Sequence, residues 1–209
     1  MLNTTRLILL TAAMCVIVAL SNYLVQFPVV YAIGNINLAD LLTWGAFTYP
    51  AAFLITDLAN RVAGPSGARK IVFAGFILAV LLSIILATPR IAIASGSAFL
   101  LAQLLDVSIF DKLRNRKWWQ APIVSTLFGS TLDTILFFSL AFAPTFALLG
   151  ANDDFAIANA PLLGVFAQEV PRWISWAIGD YAVKLLVGAA MLLPYGLLFR
   201  IIAKPQPSA

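Results

Sequence analysis

The sequence predicts an all-α, polytopic integral membrane protein, a bundle of six transmembrane helices with both termini in the cytoplasm. Three observations predict it. Of 209 residues, 62% are hydrophobic and 11% charged, and the mean hydropathy is +0.96, far from the balance of a soluble domain. The 13 Lys and Arg and nine Asp and Glu gather in a few clusters between long apolar runs. Six of those runs reach the roughly 20 residues a helix needs to cross about 30 Å of hydrocarbon. A single membrane domain, 1–209, follows.

The first span covers about 7–27. Arg6 ahead of an apolar run, with Ala19-Leu20-Ser21 behind it, also fits a signal peptide; the run continues through Tyr23-Leu24-Val25, which favours a span. The second covers 38–59 and contains Pro50. The third (70–88) and fourth (91–110) are separated by little more than Pro89-Arg90, which predicts a tight antiparallel hairpin. The fifth covers 121–147 and the sixth 173–199, where Pro194 allows a kink. Between these two, the long outer loop 148–172 carries Asp153, Asp154 and Glu169. Its apolar stretch from Phe155 to Ala167 is too short to span and is interrupted by Pro161 and Gly164, so it reads as an interfacial or re-entrant piece.

Orientation follows from the short flanking segments, because cytoplasmic loops collect Lys and Arg. With the N-terminus inside, ten basic residues fall on the cytoplasmic side: Arg6, Arg61, Arg69, Lys70, Lys112, Arg114, Arg116, Lys117, Arg200 and Lys204. The outer side has Arg90 and Arg172, and Lys184 lies within the last span. Trp118 and Trp119 read as anchors at the inner interface.

An ionisable side chain in hydrocarbon costs roughly 2.5–3.5 kcal/mol on insertion scales, so each must face the bundle interior, a partner or water. Asp57, Asp106, Asp133, Asp180 and Lys184 meet that description. At about 100° per residue, Ser95, Gln103 and Asp106 share one stripe of the fourth span, and Thr126, Ser130 and Asp133 one of the fifth. Thr11, Asn22 and Gln26 make a third on the first span, while Trp173, Asp180 and Lys184 share a face of the last. Asp133 stands thirteen residues from Gln120, about 20 Å along the axis and near mid-bilayer. Stripes of this kind, converging, line a polar cavity.

Each residue also has a plainer reading. Asp180 and Lys184, four apart, are equally well a structural pair. Asp57, with Asn60 and Arg61 at the cytoplasmic end, is as well an interfacial residue beside a basic neighbour. Ser125, Thr126 and Ser130 can bond their own backbone. Trp44, followed at helical spacing by Thr48, fits either a flat ligand's stacking partner or an outer-belt residue. Asp133 has the weakest structural explanation.

Several chemistries are excluded or unsupported. There is no His and one cysteine, Cys15, which leaves no Cys/His metal site and no disulfide; no cofactor is implied. The basic balance belongs to the cytoplasmic face and not to a nucleic-acid surface. Without His there is no Ser-His triad, and no glycine-rich phosphate loop occurs. Catalytic residues are therefore not expected, although paired intramembrane aspartates leave an aspartyl enzyme open.

Several strings go beyond hydropathy: Ser21-Asn22-Tyr23-Leu24-Val25-Gln26, Thr43-Trp44-Gly45-Ala46-Phe47, Thr56-Asp57-Leu58 with Ala68-Arg69-Lys70, Gln103-Leu104-Leu105-Asp106-Val107, Trp118-Trp119-Gln120-Ala121-Pro122, Ser125 through Thr134, and Asp180-Tyr181 with Lys184. In this order they resemble the vitamin uptake transporter family, over nearly the whole chain apart from the outer loop. The resemblance implies a six-helix inner-membrane importer of deazaguanine bases, the cyano and aminomethyl precursors of the tRNA nucleoside queuosine, working as a homodimer in the lipid bilayer. Such a base would stack on Trp44, offer its donor edge to a carboxylate and its acceptors to Gln103 or Asn22. The cation of the aminomethyl form would be offset by an acidic mid-membrane residue. The implied binding set is Asn22, Trp44, Thr48, Arg90, Ser95, Gln103, Asp106, Thr126, Ser130 and Asp133, with Asp57, Asp180 and Lys184 as coupling or structural groups. A secondary transporter and the substrate-binding subunit of an ATPase-energised complex are both compatible with a chain that has no P-loop.

Overall fold

In the computed structural model, which describes residues 2–202, the chain is a bundle of long helices with short structured connections at one end. Lys204 lies outside the described residues. In chain order come α1 (Leu2–Leu24), a two-stranded hairpin of β1 (Ala32–Ile33) and β2 (Ile36–Asn37), α2 (Gly45–Thr48), α3 (Ala51–Leu86), α4 (Pro89–Leu113), α5 (Gln120–Phe142), α6 (Asp154–Ile157), a second hairpin of β3 (Asn159–Pro161) and β4 (Glu169–Pro171), and α7 (Arg172–Ile202). Among the described residues, five helices are long and apolar enough to cross a membrane: Thr4–Leu24, Gly45–Leu86, Pro89–Leu113, Gln120–Phe142 and Arg172–Arg200.

The second of these carries a break that hydropathy leaves as the gap between 59 and 70. Gly64 adopts φ 69°, ψ −178°, a region essentially reserved for glycine, and Pro65 after it has no N–H to continue the ladder. The two arms fold back on one another here. Thr48 hydrogen-bonds Ser21 at 3.0 Å and Ser83 donates to Asn22 Oδ1 at 3.3 Å. An unbroken helix would hold residues 48 and 83 about 50 Å apart, at 1.5 Å per residue, yet both meet neighbouring residues of α1. The second arm packs on α1 through small residues: a Cβ on Gly75 would stand 2.8 Å from Met14 Cγ and 3.1 Å from Phe99 Cζ. Met14, Val18, Ile71, Val72, Phe99 and Val107 form the apolar core between these helices.

The turn into α4 is as tight as its sequence predicts. Thr88 accepts from the Ile91 N–H at 3.3 Å, and Pro89 occupies the first helical turn, where its missing N–H has no consequence. Gly96 of α4 then lies against Val80 and Phe76 of α3. Pro194 is accommodated inside α7, where Tyr195 stacks on Trp118 with ring centroids 6.4 Å apart. Trp118 is thereby packed into the bundle on one face as well as exposed on the other.

Residues 155–167, expected as an interfacial or re-entrant piece, form the end of α6, β3 and a turn. Asp153 caps α6 through the N–H groups of Phe155 and Ala156. The segment is tied down on α7: Leu163 N–H donates to Ser175 Oγ at 3.0 Å, and Phe155 lies between Trp176 and the Arg172 guanidinium.

Candidate functional site

A cavity of about 1280 Å³ opens at the end of the bundle that carries both hairpins. α1 contributes Ser21 and Asn22, and the turn after it Gln26; α3 and the turn after it give Ser83 and 85–88; Ser95 comes from α4. Phe137, Phe138 and Phe142 of α5 and Trp176 of α7 supply aromatic wall, and Tyr49, Asp133, Asp180 and Lys184 the polar depth. This is large for a small-molecule site, typically 300–1,000 Å³, and mixes apolar wall with few polar groups as such sites do. Trp176 also braces the wall, donating from Nε1 to the Asp40 carbonyl at 2.8 Å and packing on Phe142.

At the bottom sits a saturated ion cluster. Lys184, 3% exposed, donates to Asp133 Oδ2 at 2.6 Å, pairs with Asp180 Oδ2 at 2.5 Å and reaches Thr134 Oγ1 at 3.2 Å. Its three ammonium protons thus have three partners. Thr134 in turn donates to Asp180 at 3.0 Å, and Tyr49 donates to Asp133 Oδ1 at 3.0 Å. Asp133 is 4% exposed. Buried ion pairs persist only when their remaining lone pairs and protons are bonded, which Tyr49 and Thr134 accomplish. Two carboxylates and one ammonium leave a formal charge of −1 facing an aromatic-walled cavity.

Asn22, Ser95, Asp133, Asp180 and Lys184 of the expected set therefore line one cavity. Thr48 does not; it is held behind the wall by Ser21 and the Gly45 carbonyl. Trp44 is 48% exposed beside Phe47, outside the lining. Arg90 is consumed structurally: Nε donates to the Leu140 carbonyl, Nη2 to that of Ala143, and Nη1 to Gly150, Ala151 and Asn152 Oδ1. It closes the C-terminus of α5, where unpaired carbonyls attract a cation.

Asp57, Gln103 and Asp106 gather elsewhere, in a second polar cluster between α3, α4 and α5. Ser125 donates to Asp57 Oδ1 at 3.2 Å, Thr56 Oγ1 lies 2.5 Å from the Gln103 amide, and Asn60 donates to the Val107 carbonyl at 2.9 Å. Thr126 lines a narrow cleft beside Asp57 and packs on Gly188 of α7. Ser130 is fully buried, with no partner for its hydroxyl among the described residues.

Sequence reasoning missed Tyr49, Thr134 and the phenylalanines of α5. Tyr49 precedes Pro50 at a helix start, where a lone tyrosine reads as a belt residue. Thr134 adjoins Asp133, and its neighbouring position was the available signal.

Long apolar helices, and not a closed strand barrel, are what an inner membrane holds. The chain is a multi-pass inner-membrane protein with the interior polar cavity of a small-molecule transporter. Comparison with known proteins narrows the class. The family described as "Putative vitamin uptake transporter" matches residues 43–88 and 81–198, and the chain belongs to that family. A "Queuosine precursor transporter" of Escherichia coli (strain K12) is 36% identical over 210 residues, covering 90% of this chain and 84% of the relative. A "Probable queuosine precursor transporter" of Haemophilus influenzae (strain ATCC 51907 / DSM 11121 / KW20 / Rd) is 34% identical over 216 residues, with the same coverage. One of the same description from Bacillus subtilis (strain 168) is 26% identical over 181 residues, 73% of this chain and 69% of the relative. No solved structure matches the chain.

Proposed function

We propose that this protein imports queuosine precursors, the cyano- and aminomethyl-substituted 7-deazaguanine bases, as a secondary transporter. The observation that carries the reading is the cluster of net charge −1 at the bottom of an aromatic-walled cavity, in a chain similar to named queuosine precursor transporters. A deazaguanine is flat and suits Phe138, Phe142 and Trp176. Its donor edge suits Asp133 and Asp180, and the aminomethyl cation would bring the cluster's formal charge to zero. A ligand without donors would face these carboxylates without bonding them, which is the source of selectivity.

The reading includes six spans with both termini cytoplasmic. The break at Gly64 divides α3 into two arms, and Arg61, Arg69 and Lys70 flank it as a cytoplasmic turn would require. Arg90 and Arg172 then lie at the outer end, and the cavity faces outward. A homodimer is part of the same family reading, and its mass in lipid nanodiscs tests it.

Cells unable to synthesise queuosine are expected to recover it from supplied precursor only when this protein is present. Absence of rescue despite verified membrane expression sinks the proposal. Uptake by the purified protein in liposomes separates a secondary transporter from an ATPase-dependent subunit, which would stay silent alone.

A further inference from the structure

The inner cluster contains several buried atoms whose hydrogen-bonding capacity is unused. Asp106 is 0% exposed, and neither of its carboxylate oxygens completes a well-formed hydrogen bond; Asn60 Oδ1 and the Gln103 Nε2 are likewise without partners. Asp57, 2% exposed, faces Asp106 across α3 and α4, with Ser125 against both. Among the described residues, neither aspartate has a Lys or Arg nitrogen within ion-pair distance. Groups of this kind left idle inside a helix bundle are costly unless something occupies them.

The identity of the idle atoms tells what that occupant is. Thr56 has one hydroxyl proton and two acceptors in reach, the Ala52 carbonyl at 3.0 Å and the Gln103 amide at 2.5 Å. Amide oxygen and nitrogen are assigned by their network and not by shape. Turning the Gln103 amide over resolves the conflict: Thr56 donates to Ala52, Gln103 Nε2 donates to Thr56, and the free atom becomes Gln103 Oε1. The unused atoms of Asn60, Gln103 and Asp106 are then all oxygens, while an unused donor, Arg61 Nη2, belongs to the side chain that offsets Asp57. An all-oxygen set of carboxylates and amide carbonyls is the donor set of a hard cation.

Charge and size narrow the choice. Two carboxylates are partly offset by Arg61, within electrostatic reach of Asp57 and itself held by Tyr195 and the Arg114 carbonyl. With both carboxylates ionised the sum is −1, which one monovalent ion completes and a divalent ion would overshoot. Of the four side chains, Asp57 alone lines the adjoining cleft of about 10 Å³, which has room for one water-sized occupant; Asn60, Gln103 and Asp106 are 0% exposed. That excludes a base. A shared proton would occupy the carboxyl pair but leave the two amide oxygens idle.

We propose that Asp57, Asp106, Asn60 and Gln103 form a binding site for one sodium ion, separate from the outer cavity. It sits between the ion cluster of Asp133 and Lys184 and the cytoplasmic ends of α3, α4 and α7, where a coupling ion would be released inward. The site stands independently of the cargo: sodium binding is measured on the purified protein with no precursor present, so its failure and the failure of the transport reading are distinguishable.

The experiment is thermal unfolding of the detergent-solubilised full chain at fixed ionic strength, with choline replaced stepwise by sodium or potassium, alongside equilibrium binding of radioactive sodium. The melting temperature is expected to rise saturably with sodium and not with potassium, with one ion bound per chain. Asp106→Asn and the milder Gln103→Leu are expected to weaken apparent sodium affinity by about tenfold or more, equivalent to about 1.4 kcal/mol. Asp133→Asn is expected to retain the sodium response. Equal melting temperatures in all three salts, an unchanged response in Gln103→Leu, or stabilisation by acid alone without sodium, the signature of a held proton, each overturns the assignment. Should Asp106→Asn not fold, isotope binding to wild type and to Gln103→Leu decides it.

Discussion

The two acidic clusters contain similar residues and are treated oppositely by the fold. In the outer one, Asp133 and Asp180 share Lys184, and Tyr49 and Thr134 complete the bonding. In the inner one, Asp57 and Asp106 face each other with Ser125, and several oxygens remain idle. A saturated cluster is rigid and holds its geometry at the bottom of a cavity; an unsaturated one is held open for an occupant. The difference teaches that a count of buried aspartates does not measure stability or function, because the partner decides which of the two a carboxylate serves.

The comparison breaks most readily at Lys184. Lys184→Met leaves Asp133 and Asp180 buried without a cation and is expected to cost about 3–5 kcal/mol, read as a large fall in melting temperature together with loss of precursor uptake. An unchanged melting temperature would mean that the outer cluster is not the structural keystone. Asp133→Asn keeps the shape and removes the charge; precursor uptake is expected to fall about tenfold to a hundredfold, the weight of one hydrogen bond to a charged group, as measured by initial rates in liposomes. Tyr49→Phe removes one donor from a carboxylate that keeps Lys184, and a loss of about 1 kcal/mol is expected by thermal unfolding. Asp106→Asn sharpens the contrast from the other side. In sodium-free buffer it breaks no ion pair, so its melting temperature is expected to equal or exceed that of wild type; a fall as deep as that of Lys184→Met would erase the distinction between the clusters.

Part of the candidate cavity's lining was legible in advance. Asp133 was marked by its depth in the fifth span, and Asn22 and Ser95 by their stripes. What the sequence hid was partnership. Lys184 pairs with Asp180 at a spacing any helix provides, yet its bond to Asp133 on α5 has no sequence signature. Arg90 was expected to bind substrate, but carbonyls at the end of α5 and the loop residues Gly150 to Asn152 occupy its guanidinium. Gln103 and Asp106 share a stripe with Ser95, and only the tilt and packing of α4 separate them into two sites.

Hydropathy, charge asymmetry and punctuation are sums over short stretches of chain. They determined by themselves that this protein lies in a membrane, where its apolar runs begin and end, and which residues must avoid lipid. Which stripe meets which is a matter of helix rotation and close approach. That is set where small residues let helices touch, at Gly75 against Met14 and Phe99, Gly129 against Phe53, and Gly188 against Thr126. Tertiary structure alone decided that Asp133, Asp180 and Lys184 form one ion-paired cluster while Asp57 and Asp106 belong to another with oxygens to spare.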